Sequence, residues 1–373
     1  MAEKADAAVL VDPRKFEFQE FDIPEIGPDE GILRVEAAGL CGTDYEQYAG
    51  HLAGTPWDIR PIIPGHEIIG WIDRVGVDAA RHWQVKEGDR VVVEAIIPCG
   101  HCFQCAIGST TLCQSSQGYG LYASTGIAPS LWGGYATHMY LHPKALLHKV
   151  PSSIPTDILS LFNPLSNGVR WAYEAPNTAM GETVVIEGPG QRGLLSVVAA
   201  REAGAGKIIV TGTSQDAHRL DLALQFGADA VINVDEENPV ERVTELTGGR
   251  MADVVVEVSA GATQPVIDAV DMVRPGGRIV LAGLKGFRPV PNLITDKIVI
   301  NEIKVMGVLS AGWTSIDKAL DILVRRGDEL KPLCTHMFAL EDADKAVRAL
   351  GREYEDGVEA VHIALDIAGT GSP

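Results

Sequence analysis

Positive charge is scarce in this sequence. The 373 residues include 31 lysines and arginines against 50 aspartates and glutamates, which gives a formal net charge of -19. Nucleic acids and anionic membranes bind proteins through basic patches, so this balance argues against both as partners. With 46% hydrophobic and 22% charged residues the composition is that of an ordinary globular protein. The length predicts two domains rather than one.

Long apolar runs are absent as well. No segment approaches the roughly 18 residues that a membrane span needs. The first residues, Met1 to Asp6, alternate in charge and lack the apolar stretch of a signal peptide. We therefore expect a protein of the reducing cytoplasm. There its six cysteines serve as metal ligands or core residues rather than disulfides.

Four of these cysteines are close in sequence. Cys99, Cys102, Cys105 and Cys113 are separated by two, two and seven residues. Four thiolates around one tetrahedral zinc leave no open position, which is typical of a structural site. An iron–sulfur cluster is the main alternative, but its bacterial motif ends with a three-residue gap and Cys-Pro. Gln114 follows the fourth cysteine here, and the spacing favours a structural zinc.

A second candidate metal site combines a thiol with an imidazole. Cys41 and His66 lie about two dozen residues apart, with Thr43 and Glu67 beside them. A catalytic zinc takes about three protein ligands and keeps one position open for water or substrate. Taken alone, the pair is weak evidence for a metal, because a buried cysteine and a satisfied core histidine are the commoner case.

The pattern of strands and helices changes along the chain. Short strands broken by glycine and proline fill residues 9–151 and predict a β-rich, barrel-like lobe. After residue 155, six strands alternate with helical segments, which predicts an α/β fold with a doubly wound parallel sheet. Helical periodicity returns at 315–323 and 340–350, and 361–366 reads as a closing strand.

A glycine motif opens the second lobe. The apolar strand Thr183–Glu187 runs into Gly-Pro-Gly-Gln-Arg-Gly at 188–193, followed by a helical segment. In this context Gly190 lets the backbone approach a pyrophosphate at the helix N-terminus, and Gly193 allows close packing, so the motif predicts dinucleotide binding. We expect cofactor contacts from this loop and from residues that follow later strands: Gly188, Gly190, Gln191, Arg192, Gly193, Gly212, Thr213, Ser259, Gly283 and Leu309.

The choice between NAD and NADP depends on the residues at the end of the second strand of this lobe. A strand that binds NAD usually ends in an acidic residue, which takes the ribose hydroxyls. Gly212 occupies that position, although Asp216 could reach back from the following loop. No basic residue lies in 212–217 to bind the extra phosphate of NADP. We favour NAD, with NADP as the alternative.

Several motifs together resemble one family. They are Cys41-Gly42-Thr43-Asp44, Gly65-His66-Glu67, Gly88-Asp89-Arg90-Val91, the four cysteines and Gly133-Gly134-Tyr135-Ala136. In this order they resemble the zinc-dependent medium-chain alcohol and polyol dehydrogenases. The resemblance implies a GroES-like β-rich catalytic domain over 1–160 and 310–373, and a Rossmann domain over 161–309. It also implies one catalytic and one structural zinc, a nicotinamide cofactor, and a homodimer or homotetramer joined through the dinucleotide-binding domains.

One position departs from the family pattern. The segment that resembles the family's Glu-Pro-Leu reads Asn163-Pro164-Leu165, and an amide oxygen is a poorer zinc donor than a carboxylate. Our hypothesis is that Cys41, His66 and Glu67 bind the catalytic zinc. Asn163 would then hydrogen-bond the water or substrate oxygen, and Asp44 would orient His66.

The resemblance also implies a mechanism. Zinc acidifies an alcohol, hydride passes to the nicotinamide, and Thr43 accepts the proton, with Glu46 or water as the last carrier. We expect a small alcohol and its ketone or aldehyde as substrates, with apolar secondary, cyclic or aryl alcohols favoured. Candidate pocket side chains are Tyr45, Tyr48, His51, Trp57, Tyr119 and Tyr122. The alternatives are a zinc-free reductase and a non-catalytic dinucleotide-binding protein with only the structural zinc.

Overall fold

The computed structural model describes residues 3–353 and 359–369 and divides the chain into two units. Unit 1 comprises Met1–Asn163 and Leu320–Pro373, and unit 2 comprises Pro164–Ala319. The domain bounds given above stay a prediction. Within the described residues, no helix has the length and apolar character needed to cross a membrane.

The strands, in chain order, are β1 (Lys4–Asp12), β2 (Lys15–Asp22), β3 (Gly31–Gly39), β4 (Glu67–Val75), β5 (Arg90–Val93), β6 (Ile96–Ile97), β7 (Gln117–Gly118), β8 (His138–Leu141), β9 (Leu147–Lys149), β10 (Thr183–Glu187), β11 (Lys207–Gly212), β12 (Ala230–Asn233), β13 (Ala252–Glu257), β14 (Val273–Leu281), β15 (Lys304–Gly307), β16 (Cys334–Ala339) and β17 (His362–Asp366). The helices are α1 (Gly42–Ala49), α2 (Val77–Trp83), α3 (Phe103–Ala106), α4 (Thr156–Leu159), α5 (Phe162–Val169), α6 (Gln191–Glu202), α7 (Ala217–Gln225), α8 (Pro239–Leu246), α9 (Gln264–Met272), α10 (Thr295–Ile300), α11 (Trp313–Leu330) and α12 (Ala343–Leu350).

Unit 1 is β-rich, as predicted. Its main sheet has the order β16-β17-β3-β4-β5-β9, and β8 also pairs with β3. The central strands β3 and β4 are antiparallel, with Gly39 opposite Glu67. β3 is buried at every position but one, and the first half of β4 is buried as well, because these apolar segments lie inside the sheet. This register places the residues that follow β3 beside those that precede β4.

The arginine of the Gly-Asp-Arg-Val motif has a structural role. Arg90 forms a buried bidentate pair with Glu36, at 2.8 and 2.5 Å. The same guanidinium donates to the carbonyl of Ile154 at 2.6 Å and lies over the Trp71 ring. A fully bonded arginine of this kind can be buried without a large desolvation cost. It fixes the segment that follows β9.

Unit 2 contains the predicted six-stranded parallel sheet. Its strand order is β12-β11-β10-β13-β14-β15, the doubly wound order in which ligands bind beyond the carboxyl ends of the strands. The central strands are buried on both faces, with Val185, Ile209, Val255 and Ile279 in one hydrophobic cluster. The glycine loop follows β10 at the centre of the sheet. The mixed α/β architecture predicted from the sequence is confirmed.

Candidate metal centre and dinucleotide site

Cys41 sits at the start of a helix, where its thiol is held in place. It is the N-cap of α1, its sulfur accepts the N–H of Thr43 at 3.3 Å, and its own N–H donates to Asp44 Oδ2 at 2.8 Å. This reciprocal cap requires a short acceptor at the cap and a carboxylate three residues later. The positive end of the helix dipole stabilises a thiolate at this position.

His66 meets Cys41 because of the β3–β4 register. The sulfur lies 3.0 Å from His66 Nε2, and Asp44 Oδ1 lies 3.6 Å from Nδ1. Among the described residues, the donors of Cys41, Asp44 and His66 are all within 4.8 Å of one another. Since Asp44 faces the nitrogen that is turned away from the sulfur, its geometry fits an orienting partner of the imidazole.

The charges around His66 favour a cation. Burial lowers the pKa of His66, but the negative charges of Cys41, Asp44 and Glu67 outweigh burial and raise that pKa to about 10. Burial raises the pKa of Asp44, and it raises the pKa of Tyr135 well above the ordinary value. The ring of Tyr135 packs against Gly65, so this motif tyrosine belongs to the cluster, a role that we missed from the sequence.

The donor set fits a zinc ion. The three side chains are nine-tenths buried or more, with Cys41 at 0%, Asp44 at 2% and His66 at 6% exposure, and a buried acidic cluster needs a compensating positive charge. Around tetrahedral zinc the sulfur and nitrogen would lie about 3.6 Å apart. The observed distance from the sulfur to Nε2 is 3.0 Å, so zinc binding requires this distance to increase by about half an ångström. A small rotation of either side chain is sufficient.

Glu67 is buried in the same region. It is 0% exposed, and a Cβ added at Gly39 would lie only 2.7 Å from its Oε2. Gly39 therefore makes room for this carboxylate. Glu67 is not in the group of donors within 4.8 Å of one another, and its role as a zinc ligand stays a prediction.

The predicted proton carriers lie on α1. Thr43 is half-buried next to Cys41, and Glu46 Oε2 lies 3.0 Å from His51 Nδ1, with both side chains exposed. Sequence reasoning gave His51 only as a pocket residue. The tight turn at Gly50, which has φ +77, brings the two side chains together. Asn163 is half-buried in the first turn of α5, and its role stays a prediction.

The four cysteines form a compact group. Cys99 and Cys105 have sulfurs 3.9 Å apart, and the sulfurs of Cys102 and Cys113 are 4.0 Å apart. Tetrahedral zinc with bonds of about 2.3 Å places sulfurs about 3.8 Å apart, so the group fits the ion with little change. Hydrogen bonds from the backbone N–H groups of Cys105 and Gln114 lower the pKa of Cys102 to about 6, whereas burial raises the pKa of Cys105 to about 12. Zinc binds the thiolate of each cysteine.

The glycine motif has the close packing that dinucleotide loops require. Gly188 has φ +104, and a Cβ at Gly193 would lie 1.9 Å from the carbonyl oxygen of Gly188. Gly190 is the N-cap of α6, and a Cβ added there would meet nothing within 4 Å. The open glycine at a helix N-terminus fits a diphosphate group. Gln191 and Arg192 form the first two residues of that helix.

The end of β11 explains the missing acidic residue. A Cβ at Gly212 would lie 2.8 Å from the ring of Pro189, so the proline in the glycine loop leaves no room for a side chain. Thr213 follows, and its N–H and hydroxyl donate to Asp216 Oδ2 at 3.1 and 2.7 Å. Asp216 thus lies directly beyond the strand, where its other oxygen is 3.5 Å from Arg219.

The later cofactor candidates also meet at this edge. A Cβ at Gly188 would lie 3.1 Å from Ser259 Cα, and a Cβ at Gly283 would lie 2.1 Å from the Ser259 carbonyl oxygen. Three predicted residues therefore pack together beyond β10, β13 and β14. Leu309 follows β15 and is 54% exposed. Its cofactor contact stays a prediction, as do those of the other residues.

Comparisons with known proteins agree with this architecture. Residues 27–152 match the family model described as the alcohol dehydrogenase GroES-like domain, and residues 193–325 match the one described as zinc-binding dehydrogenase. A protein of Mycobacterium tuberculosis named probable alcohol dehydrogenase is 40% identical over 363 residues, which cover 96% of this chain and 97% of that protein. The chain belongs to the zinc-dependent medium-chain dehydrogenase family.

Other relatives span the whole chain too. An erythritol/L-threitol dehydrogenase of Mycolicibacterium smegmatis is 31% identical, with 97% of this chain and 98% of that protein covered. The crystal structure of an alcohol dehydrogenase from Thermotoga maritima has a TM-score of 0.88 at 28% identity and covers 98% of this chain and 100% of its own. This member of the zinc-binding dehydrogenases is therefore an oxidoreductase.

Proposed function

We propose that this protein transfers hydride between a secondary, cyclic or aryl alcohol and NAD, giving a ketone or aldehyde. The observation that carries the proposal is the buried group of Cys41, Asp44 and His66, with the hydroxyl of Thr43 on the same helical turn. We assign one zinc to Cys41, His66 and Glu67, with Asn163 near the open position. A second zinc belongs to the four cysteines.

The chain's own residues orient the reactants and move the proton. When bound, zinc supplies Lewis acidity to an alcohol and the nicotinamide supplies a hydride acceptor. Asp44 Oδ1 faces His66 Nδ1 at 3.6 Å, so Nε2 is the nitrogen that would bind the metal. Thr43 Oγ1 receives the alcohol proton. Glu46 and His51, which are 3.0 Å apart and exposed, then pass it to solvent.

The aromatic residues divide into core and pocket candidates. Tyr48 is 3% exposed and bonds Asp344, and Tyr119 is 0% exposed and accepts the N–H of His142. Both belong to the hydrophobic core, so they form no pocket wall. Trp57, at 36% exposure, and His51 remain candidates. The aromatic side chain of Trp57 suits alkyl or aryl alcohols.

The preference for NAD is supported by the charge beyond β11. Asp216 lies at the position where the ribose of the cofactor is expected, and Asp235 Oδ2 accepts the N–H of Ser214 at 2.8 Å. Two carboxylates would repel the additional phosphate of NADP. Arg219 is the basic residue nearby, and it faces Asp216.

We also propose a homodimer joined through the dinucleotide-binding units. β15 is the edge strand of the parallel sheet, and an edge strand pairs readily with a second chain. Apolar side chains around it are exposed, with Val299 at 74%, Ile300 at 79% and Val305 at 42%. Measuring the mass of the protein in solution tests this proposal. Val305→Lys should convert a dimer into a monomer. An unchanged dimer mass in that variant would show that β15 does not form the interface.

The test of function combines a zinc count with a turnover assay. Purified protein should contain about two zinc per chain and should reduce NAD faster than NADP with an alcohol panel, measured by the absorbance of the reduced nicotinamide. One zinc per chain without turnover would favour the non-catalytic alternative. A polyol that outperforms every apolar alcohol would overturn the substrate class.

The ligand assignment has its own test. Glu67→Ala should lower the zinc content, whereas Asn163→Ala should keep the zinc and lower turnover. The reverse pattern would show that Asn163 rather than Glu67 binds the metal.

A further inference from the structure

Arg192 lies where a positive charge works against helix stability. It is the second residue of α6, whose N-cap Gly190 offers no side-chain cap and whose first turn has no acidic residue. The N-terminus of a helix already carries partial positive charge, so acidic side chains or anions stabilise it and basic side chains do not. An arginine at this position is explained when an anion binds beside it.

The guanidinium of Arg192 is held by an aromatic ring. Its Cζ atom lies 5.8 Å from the centroid of Trp171, within the range of a cation–π contact. Trp171 is 5% exposed and lies in the π-helical segment Arg170–Glu174. Segments of this kind are frequent at functional sites. Stacking restricts the rotamers of the arginine, which reduces the entropy lost when it binds a ligand.

Trp171 also reaches the loop after β15. Its Nε1–H donates to the carbonyl oxygen of Ser310 at 3.2 Å. Ser310 has φ +58, a left-handed conformation that is uncommon for a residue other than glycine. It directly follows Leu309, for which we predicted a cofactor contact. The indole of Trp171 therefore contacts both Arg192, at the start of α6, and the loop that follows the edge strand β15.

We propose that Arg192 binds the diphosphate of the nicotinamide dinucleotide and that Trp171 is the positioning residue that holds it. The bond from Trp171 to Ser310 then couples the diphosphate end of the site to the nicotinamide end. This inference rests on the proposed function, which places a dinucleotide at the glycine loop. Stacking uses the face of the guanidinium, whereas phosphate oxygens are bound by N–H groups in its plane.

Calorimetric titration of the zinc-loaded protein with NADH and with ADP-ribose tests the proposal without turnover. Arg192→Met should weaken both ligands about 10- to 100-fold, and Arg192→Lys about three- to tenfold, because lysine keeps the charge and loses the planar fork. Arg250→Met is the matched control. The side chain of Arg250 is 68% exposed and pairs with Asp253. Arg250 precedes β13 and so lies at the amino ends of the strands, whereas the glycine loop lies at their carboxyl ends. Its loss should leave both affinities unchanged.

The tryptophan is tested by two substitutions. Trp171→Leu removes the ring and should weaken both ligands about three- to tenfold. Trp171→Phe keeps an aromatic face and loses only the bond to Ser310. It should therefore weaken NADH several-fold and leave ADP-ribose, which lacks the nicotinamide, within about twofold.

The outcomes separate the inference from the function. If the parent protein binds NADH and Arg192→Met binds it equally well, the inference is wrong and the function stands. If the parent binds neither NADH nor NADPH, the proposed function fails. If Arg192→Met does not fold, the affinity of Arg192→Lys for NADH is the deciding measurement. An unchanged affinity in Arg192→Lys would overturn the inference. Altered thermal stability with unchanged affinity would show a merely structural role.

Discussion

Cys99, Cys102, Cys105 and Cys113 come from one stretch of fifteen residues, whereas Cys41 and His66 are joined only by the pairing of β3 with β4. The first group closes on itself, and its sulfurs already have the spacing of a tetrahedral zinc site. The second group lies beside the buried carboxyl groups of Asp44 and Glu67 and the hydroxyl of Thr43. Local spacing can therefore specify a structural site, but a catalytic site depends on a sheet register and on its neighbours.

The sharpest test of this difference removes a ligand from the second group. Cys41→Ser should lower turnover about a thousandfold or more, because the metal that activates the alcohol is lost. Zinc should fall from about two ions per chain to about one. Cys334→Ser is the control, since that thiol donates to the carbonyl of Asp157 outside both groups. Full zinc content in Cys41→Ser would contradict the assignment.

The hydroxyl beside the second group gives the next largest effect. Thr43→Ala should keep both zinc ions and lower turnover about 100-fold or more, because the alcohol proton loses its acceptor. Thr43→Ser should restore most of the rate. Steady-state rates with zinc analysis measure this, and full activity in Thr43→Ala would remove Thr43 from the mechanism.

The first group should respond in stability rather than in chemistry. Cys102→Ser should cost on the order of 3 kcal/mol of unfolding free energy, because a structural zinc contributes directly to folding. Denaturant unfolding measures the loss. Turnover per folded molecule should stay within a few-fold of the parent. A selective loss of turnover without destabilisation would mean that the four-cysteine group is not structural.

The packing that supports the second group can be tested at a glycine. Gly39→Ala places a methyl group 2.7 Å from Glu67 Oε2 and should cost about 1–3 kcal/mol of stability. Gly42→Ala is the matched control, because nothing lies within 4 Å of its added Cβ. Equal unfolding midpoints for the two variants would show that Gly39 is not needed to seat Glu67.

A pH-dependent effect, small near neutral pH, is expected from a histidine outside both groups. Burial lowers the pKa of His362 to about 3, and its Nε2 lies 2.7 Å from Ser160 Oγ. The unfolded chain binds this proton near pH 6.5 and the folded chain does not. Stability should therefore fall as the pH drops from about 6.5 toward 3, by up to about 1.4 kcal/mol per unit.

His362→Gln should flatten this pH dependence, whatever its effect on stability at neutral pH. Unfolding free energies of the parent and the variant at several pH values measure the difference in slope. Identical slopes would show that His362 takes up its proton in the folded state as well.

The six strands of unit 2 could be read from the sequence to within a few residues, whereas only some strands of unit 1 could. The predicted strand Thr183–Glu187 is β10, and the helix predicted at 315–323 lies inside α11. Buried parallel strands are continuous apolar runs, so their pattern survives in the sequence. Pro-Gly-Gly at 275–277 is typical of a turn but lies within β14, because pairing with β13 tolerates an irregularity there.

The site divides in the same way. Motif spacing pointed to Cys41, His66, the four cysteines and the glycine loop, because short-range geometry limits what such residues can do. It could not show that Pro189 excludes a side chain at Gly212, or that Gly39 makes room for Glu67. It gave no role to Trp171 between Arg192 and Ser310. These relations join residues that are far apart in the chain, and only tertiary packing brings them into contact.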